Sequence, residues 1–107
     1  MPDSSNPSRP SDRLRRALDE RVLLLDGAMG TMIQAADLTA ADFGGPQYEG
    51  CNEHPNLTRP DVIREIHQQY LEAGADMVET NTFNSTSISL ADYGLQEFAF
   101  ELNRAGA

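Results

Sequence analysis

Cysteine and tryptophan are almost missing: one cysteine, Cys51, and no tryptophan stand in 107 residues. A lone thiol excludes an internal disulfide framework and suits a reducing, cytoplasmic setting. Basic charge is scarce as well, with 8 Lys+Arg against 17 Asp+Glu and a formal net charge of −9. Phosphate backbones and anionic lipid surfaces repel such a chain, which argues against nucleic acid and membranes as partners. No window approaches the roughly 20 apolar residues of a membrane span. Neither a Walker nor a dinucleotide glycine pattern is present. The first ten residues, Met1 to Pro10, have no apolar core and are not a secretory signal. Their Pro and Ser content reads as a disordered tail. The length allows at most one small domain.

What is there alternates between two periodicities. Ser11 to Arg21 carries Leu14, Ala17 and Leu18 at helical spacing, with Ser11 or Asp12 as N-cap. Val22-Leu23-Leu24-Leu25 is a continuous apolar run stopped by Asp26-Gly27. Such a run suits a strand buried on both faces of a parallel sheet. Residues 32–59 are punctuated by glycine and proline, with a short helix expected near Met29 to Ala36. Thr58-Arg59-Pro60-Asp61 opens the clearest helix, with Pro60 in its first turn and Thr58 and Asp61 as a capping pair. Val62, Ile63, Ile66, Tyr70 and Leu71 share a face, and Ala73-Gly74 ends it. Ala75 to Thr82 reads as a second short strand. Ser87 to Asn103 reads as a last helix burying Ile88, Ala91, Leu95, Phe98 and Leu102. Two parallel strands joined by a helix form a right-handed crossover unit. Two such strands leave their outer edges unpaired and bury little, so the pattern asks for further βα units.

Polar residues at the C-terminal ends of parallel strands form the working face of α/β folds. Both expected strands end in such clusters. Asp26 can hold an ammonium group, while Gly27 and Gly30 let backbone N–H groups approach a carboxylate. That pairing fits an amino acid, although Asp-Gly alone is most often only a turn. Glu79, Thr80, Asn81 and Thr82 either bond a polar ligand or cap the next helix, with the two readings evenly weighted. Phe83 either lines the ligand's apolar stem or, more often for such a residue, packs in a core. Cys51 and His54 are half a zinc site at most, since zinc takes three or four protein ligands. A nucleophilic Cys–His pair requires spatial support. His67 reads as a partly buried structural residue.

The stretch Leu25 to Gln34 resembles the opening strand and turn of the homocysteine S-methyltransferase family. Asp42-Phe43 and Tyr48 to Glu53 resemble the loop that follows, and Leu57 to Asp76 the first long helix. Glu79 to Leu95, with its Ser-Thr-Ser-Ile-Ser-Leu-Ala-Asp-Tyr-Gly run, is the most specific part and resembles the cobalamin-dependent branch. The resemblance covers residues 22–105. It implies an α/β fold in which residues 11–107 are the incomplete N-terminal part, about two βα units, of a (β/α)8 barrel domain. It implies an enzyme in which zinc holds the homocysteine thiolate as nucleophile. The methyl group comes from methylcobalamin, recharged from methyltetrahydrofolate by a later domain, and the product is methionine. It places Asp26, Gly27 and Ala28 near the amino-acid end of homocysteine, and Glu79, Thr80, Asn81, Thr82 and Phe83 on a second wall. The family's zinc-binding cysteines lie on later strands and nothing here matches them. These residues alone are therefore expected to be inactive, with no metal or cobalamin ligands. The other readings are the start of a betaine- or S-methylmethionine-dependent relative, or a non-catalytic small-molecule-binding remnant.

Overall fold

The computed structural model describes residues 9–107. Most of the expected tail therefore lies outside the described residues. Its expected last residue, Pro10, instead opens α1 (Pro10–Glu20). Arg9 is the N-cap and makes no side-chain cap bond, so neither Ser11 nor Asp12 caps the helix. Proline at the first helical position is pre-set in φ and has no N–H to leave unpaired, which moves the start one residue earlier than Ser11.

The apolar run after α1 is not buried on two faces. Val22 is 83% exposed, and Leu24 and Leu25 are also exposed. Leu25 pairs with Met77 in an isolated parallel bridge, and no longer strand forms among the described residues. The pairing is carried by Asp26 N–H to the Met77 carbonyl at 3.0 Å, and by Asp76 N–H and Met77 N–H to the Leu24 carbonyl at 2.8 and 3.2 Å. A side-chain latch reinforces it. Arg21 grips the Asp76 carboxylate with two N–H groups at 2.9 and 2.6 Å, and Leu24 N–H donates to the same carboxylate at 2.8 Å. These donors hold the Asp76 carboxyl down at about 2, the Arg21 hydrogen bond contributing most. A strand has most of its stabilisation from neighbours on both edges, and here each segment has one.

The helix that joins the two paired segments is α4 (Pro60–Glu72), with proline in its first turn and Ala73 as C-cap. Thr58 and Asp61 do not form a capping pair across its start. The Thr58 hydroxyl donates to the Asp42 carbonyl at 2.6 Å, and the Asp61 carboxylate accepts from Arg59. Before α4 come α2 (Gly30–Ala35), a 3-10 turn at Pro46–Tyr48 and α3 (Pro55–Thr58). Ile33 of α2, Phe43, and Ile63 and Ile66 of α4 form one buried cluster. Leu71, placed on the buried face by its spacing, is exposed at the end of the helix.

The final expected helix is broken in two. α5 (Ser87–Leu90) runs into a 3-10 turn at Ala91–Tyr93, and a second turn at Gln96–Phe98 leads into α6 (Ala99–Gly106). Gly94 sits between them at φ 70°, a left-handed conformation that costs a residue with a Cβ about 1 kcal/mol or more. The break changes which side chains are covered. Leu90 joins Cys51, Leu95 and Leu102 in a second buried cluster, whereas Ile88, Ala91 and Phe98 are exposed. Burying a leucine such as Leu102, which is 0% exposed, stabilises by about 1.5–3 kcal/mol. No helix among the described residues is long and apolar enough to cross a membrane.

Candidate functional site

The parallel bridge carries the two polar clusters to the same place. Asp26, Gly27, Ala28, Glu79, Thr80, Asn81, Thr82 and Phe83 all border one cavity of about 280 Å3. Its size suits a small metabolite better than a dinucleotide, because drug-sized ligands occupy about 300–1,000 Å3. A larger groove of about 460 Å3 between α2 and α4 is bordered by none of them. It lies away from the ends of the paired segments, so the smaller cavity is the better candidate.

The turn at Asp26–Gly30 is held from α4. The Tyr70 hydroxyl donates to the Ala28 carbonyl at 2.6 Å. A Cβ on Gly27 would stand 3.2 Å from that hydroxyl oxygen, so glycine here permits the close approach of Tyr70. The Asp26 carboxylate accepts from the Glu79 N–H, at 3.1 and 3.2 Å to its two oxygens. Asp26 is thus a brace between the two walls. A carboxylate has about four lone-pair sites, so one N–H leaves capacity for a ligand.

The second wall differs residue by residue. The Thr80 and Thr82 hydroxyls pair with each other at 2.8 Å. Phe83 is 91% exposed at the cavity rim and does not pack in a core. Asn81 is buried, with its side-chain amide donating to the Asn52 carbonyl at 2.7 Å and to Asn56 Oδ1 at 3.0 Å. The Asn81 side chain can therefore offer a ligand an acceptor but no further N–H.

The cavity also has borders that the sequence analysis did not single out as site residues: Met29, Asn52, Glu53 and Asn84, besides Gly30. Glu53 is the most consequential. It is only 6% exposed, and burial pushes its carboxyl above the usual range against a hydrogen bond from the Asn84 N–H. Its signal in the sequence is the polar run Cys51-Asn52-Glu53-His54, where an acidic residue stands between a thiol and an imidazole. Three carboxylates, Asp26, Glu53 and Glu79, border the cavity without a Lys, Arg or His among its lining residues. A cationic ligand group suits that electrostatic environment, because an opposite charge favours the ionised carboxylates.

Cys51 and His54 do not make a reactive pair. The thiol is buried in the Leu90–Leu102 cluster and burial pushes its pKa up, the opposite of an activated thiolate. His54 Nδ1 lies 2.6 Å from the Phe43 carbonyl, which fixes the proton on Nδ1 because a carbonyl only accepts. Among the described residues no three of His, Cys, Asp and Glu are placed to hold a metal ion. A zinc thiolate site thus has no fit in these residues. His67 is half-buried, and its Nδ1 finds no partner among the described residues.

Backbone N–H groups at a tight turn, a facing bank of carboxylates and a small cavity together suit a small zwitterion. Comparison with known proteins gives that chemistry a family. The model of the homocysteine S-methyltransferase family matches residues 23–107, and the chain belongs to that family. Over 89 residues it is 54% identical to the methionine synthase of Mycobacterium tuberculosis, a match that covers 83% of this chain. The chain spans 7% of the length of that relative.

Proposed function

We propose that these residues form the opening part of a homocysteine-binding (β/α)8 barrel, and that the whole protein methylates homocysteine to methionine. The observation that carries the reading is the convergence of the Asp26–Ala28 turn and the Glu79–Phe83 segment on one small, carboxylate-rich cavity. The parallel bridge and the connecting α4 are in keeping with a βα repeat. So are the exposed apolar residues Val22, Leu24, Leu25 and Val78, which neighbouring strands would cover. In this reading the ammonium of homocysteine faces Asp26 and Glu53. Its carboxylate faces the backbone N–H groups of the Gly27–Gly30 turn, and its methylene stem runs past Phe83.

This chain's part is to bind and orient the amino-acid end. Holding that end fixes where the thiol sits, and orientation of this kind lowers a barrier by removing the entropy of a bimolecular encounter. The thiolate chemistry needs a Lewis acid, and the described residues have no ligand set for one. Zinc, methylcobalamin and methyltetrahydrofolate therefore enter the proposal only for the whole protein, as does a cytoplasmic location. The test is equilibrium dialysis of labelled homocysteine against the full-length protein. Saturable binding that excess unlabelled homocysteine displaces supports the reading, and its absence removes the pocket assignment.

A further inference from the structure

A buried amide pair stands directly behind the second wall. Asn56, on α3, and Asn81 are each 4% exposed. The Asn56 amide nitrogen donates to the Asn81 carbonyl at 2.8 Å and to the Leu102 carbonyl at 3.2 Å. Those two carbonyls decide which way the amide points, since the reversed rotamer would set Oδ1 against two oxygens. With its nitrogen so placed, Asn56 Oδ1 accepts from the Asn81 side chain at 3.0 Å, and the Asn52 carbonyl accepts from the same nitrogen at 2.7 Å. The orientation of Asn81 is therefore set by Asn56 together with the Asn52 carbonyl. Both of its N–H groups are committed behind the cavity, and Oδ1 is what the amide can offer within it.

We infer that Asn56 is a positioning residue: it fixes the Asn81 amide so that the pocket wall presents an acceptor and selects the ammonium end of its amino-acid ligand. The inference rests on the reading of the cavity as the homocysteine pocket. Without Asn56 only the Asn52 carbonyl would hold the Asn81 amide, which could then turn an N–H toward the ammonium. The pair would then cost affinity only for ligands that carry the amine.

The experiment uses the full-length protein, two ligands and two variants. The ligands are homocysteine and its analogue without the amine, 4-mercaptobutanoate. Asn56→Leu removes both the donors and the acceptor, while Asn56→Asp keeps an acceptor for the Asn81 nitrogen. Asn56→Leu should raise the homocysteine Kd about tenfold, the equivalent of one hydrogen bond, and leave the analogue within about twofold. Asn56→Asp should retain homocysteine affinity within about threefold, even where its melting temperature falls. Equal losses for both ligands, or equal homocysteine losses in the two variants, overturn the inference, because a merely structural role predicts them. Unchanged homocysteine affinity in Asn56→Leu overturns it as well. If neither variant folds, the wild type decides: equal affinity for the two ligands overturns the inference. Failure of the wild type to bind homocysteine removes the functional reading and this inference with it. Normal wild-type binding with indifferent variants removes this inference alone.

Discussion

Replacing Asp26 separates its two duties. Its carboxylate braces the Glu79 N–H at 3.1 and 3.2 Å and, in the proposed complex, takes the ligand ammonium. Asp26→Asn keeps one oxygen for the brace and loses the charge. The brace lies at an exposed edge, where water replaces a lost partner, so Asp26→Asn should change folding stability by less than about 0.5 kcal/mol. Asp26→Ala removes the bond altogether and should cost about 0.5–1.5 kcal/mol. Binding should respond differently. A hydrogen bond to a charged group contributes about 1.5–3 kcal/mol, so both variants should weaken homocysteine by about 10- to 150-fold. Urea unfolding gives the first quantity, and dialysis or calorimetry with homocysteine gives the second. Wild-type affinity in Asp26→Asn would refute the ammonium contact. An affinity loss in Asp26→Ala that is absent from Asp26→Asn would show that the brace, not the charge, matters.

Three further outcomes follow from other contacts. Leu102 is 0% exposed in the second cluster, and Leu102→Ala should destabilise by about 2–5 kcal/mol through the cavity left behind, read from a lower urea midpoint. Tyr70→Phe removes the bond to the Ala28 carbonyl, at a cost of about 0.5–1.5 kcal/mol. It should also raise the homocysteine Kd by loosening the turn, which a titration of the variant checks. The Asp76 carboxyl is held down at about 2 by Arg21 and the Leu24 N–H. A depressed acid stabilises the fold above the ordinary carboxylate range and loses that contribution as pH falls toward its folded value. Asp76→Asn should therefore flatten the stability profile between roughly pH 4 and pH 2 while leaving its shape at neutral pH, as acid melting curves would record.

Local chemistry made several elements readable in advance. Pro60 with the Val62–Tyr70 spacing specifies α4 within a residue or two, because a proline start and an apolar stripe are properties of the segment itself. The convergence of Asp26 and Glu79 was readable for a similar reason, since two segments joined by one helix pair in parallel and bring the same ends together. The exposure of Val22, Leu24 and Leu25 was not readable. Apolar content describes what a segment can bury, whereas exposure depends on which neighbours are present. The broken last helix turned on Gly94, whose left-handed φ outweighs a spacing that also fits a continuous helix. Thr58 and Asn81 show the commonest failure. Adjacent residues suggest local partners for their side chains, but the actual partners, Asp42, Asn52 and Asn56, lie 16 to 29 positions away. Glu53 is not legible as a site residue, because a carboxylate in a polar loop is ordinarily solvated and only the packing of the loop buries it.

The most direct test of the central claim is a crystal structure of the full-length protein with homocysteine bound. The account predicts the ligand ammonium within hydrogen-bond distance of the Asp26 carboxylate and its carboxylate on the N–H groups of the Gly27–Gly30 turn. Homocysteine bound elsewhere, away from residues 26–30 and 79–84, would contradict it.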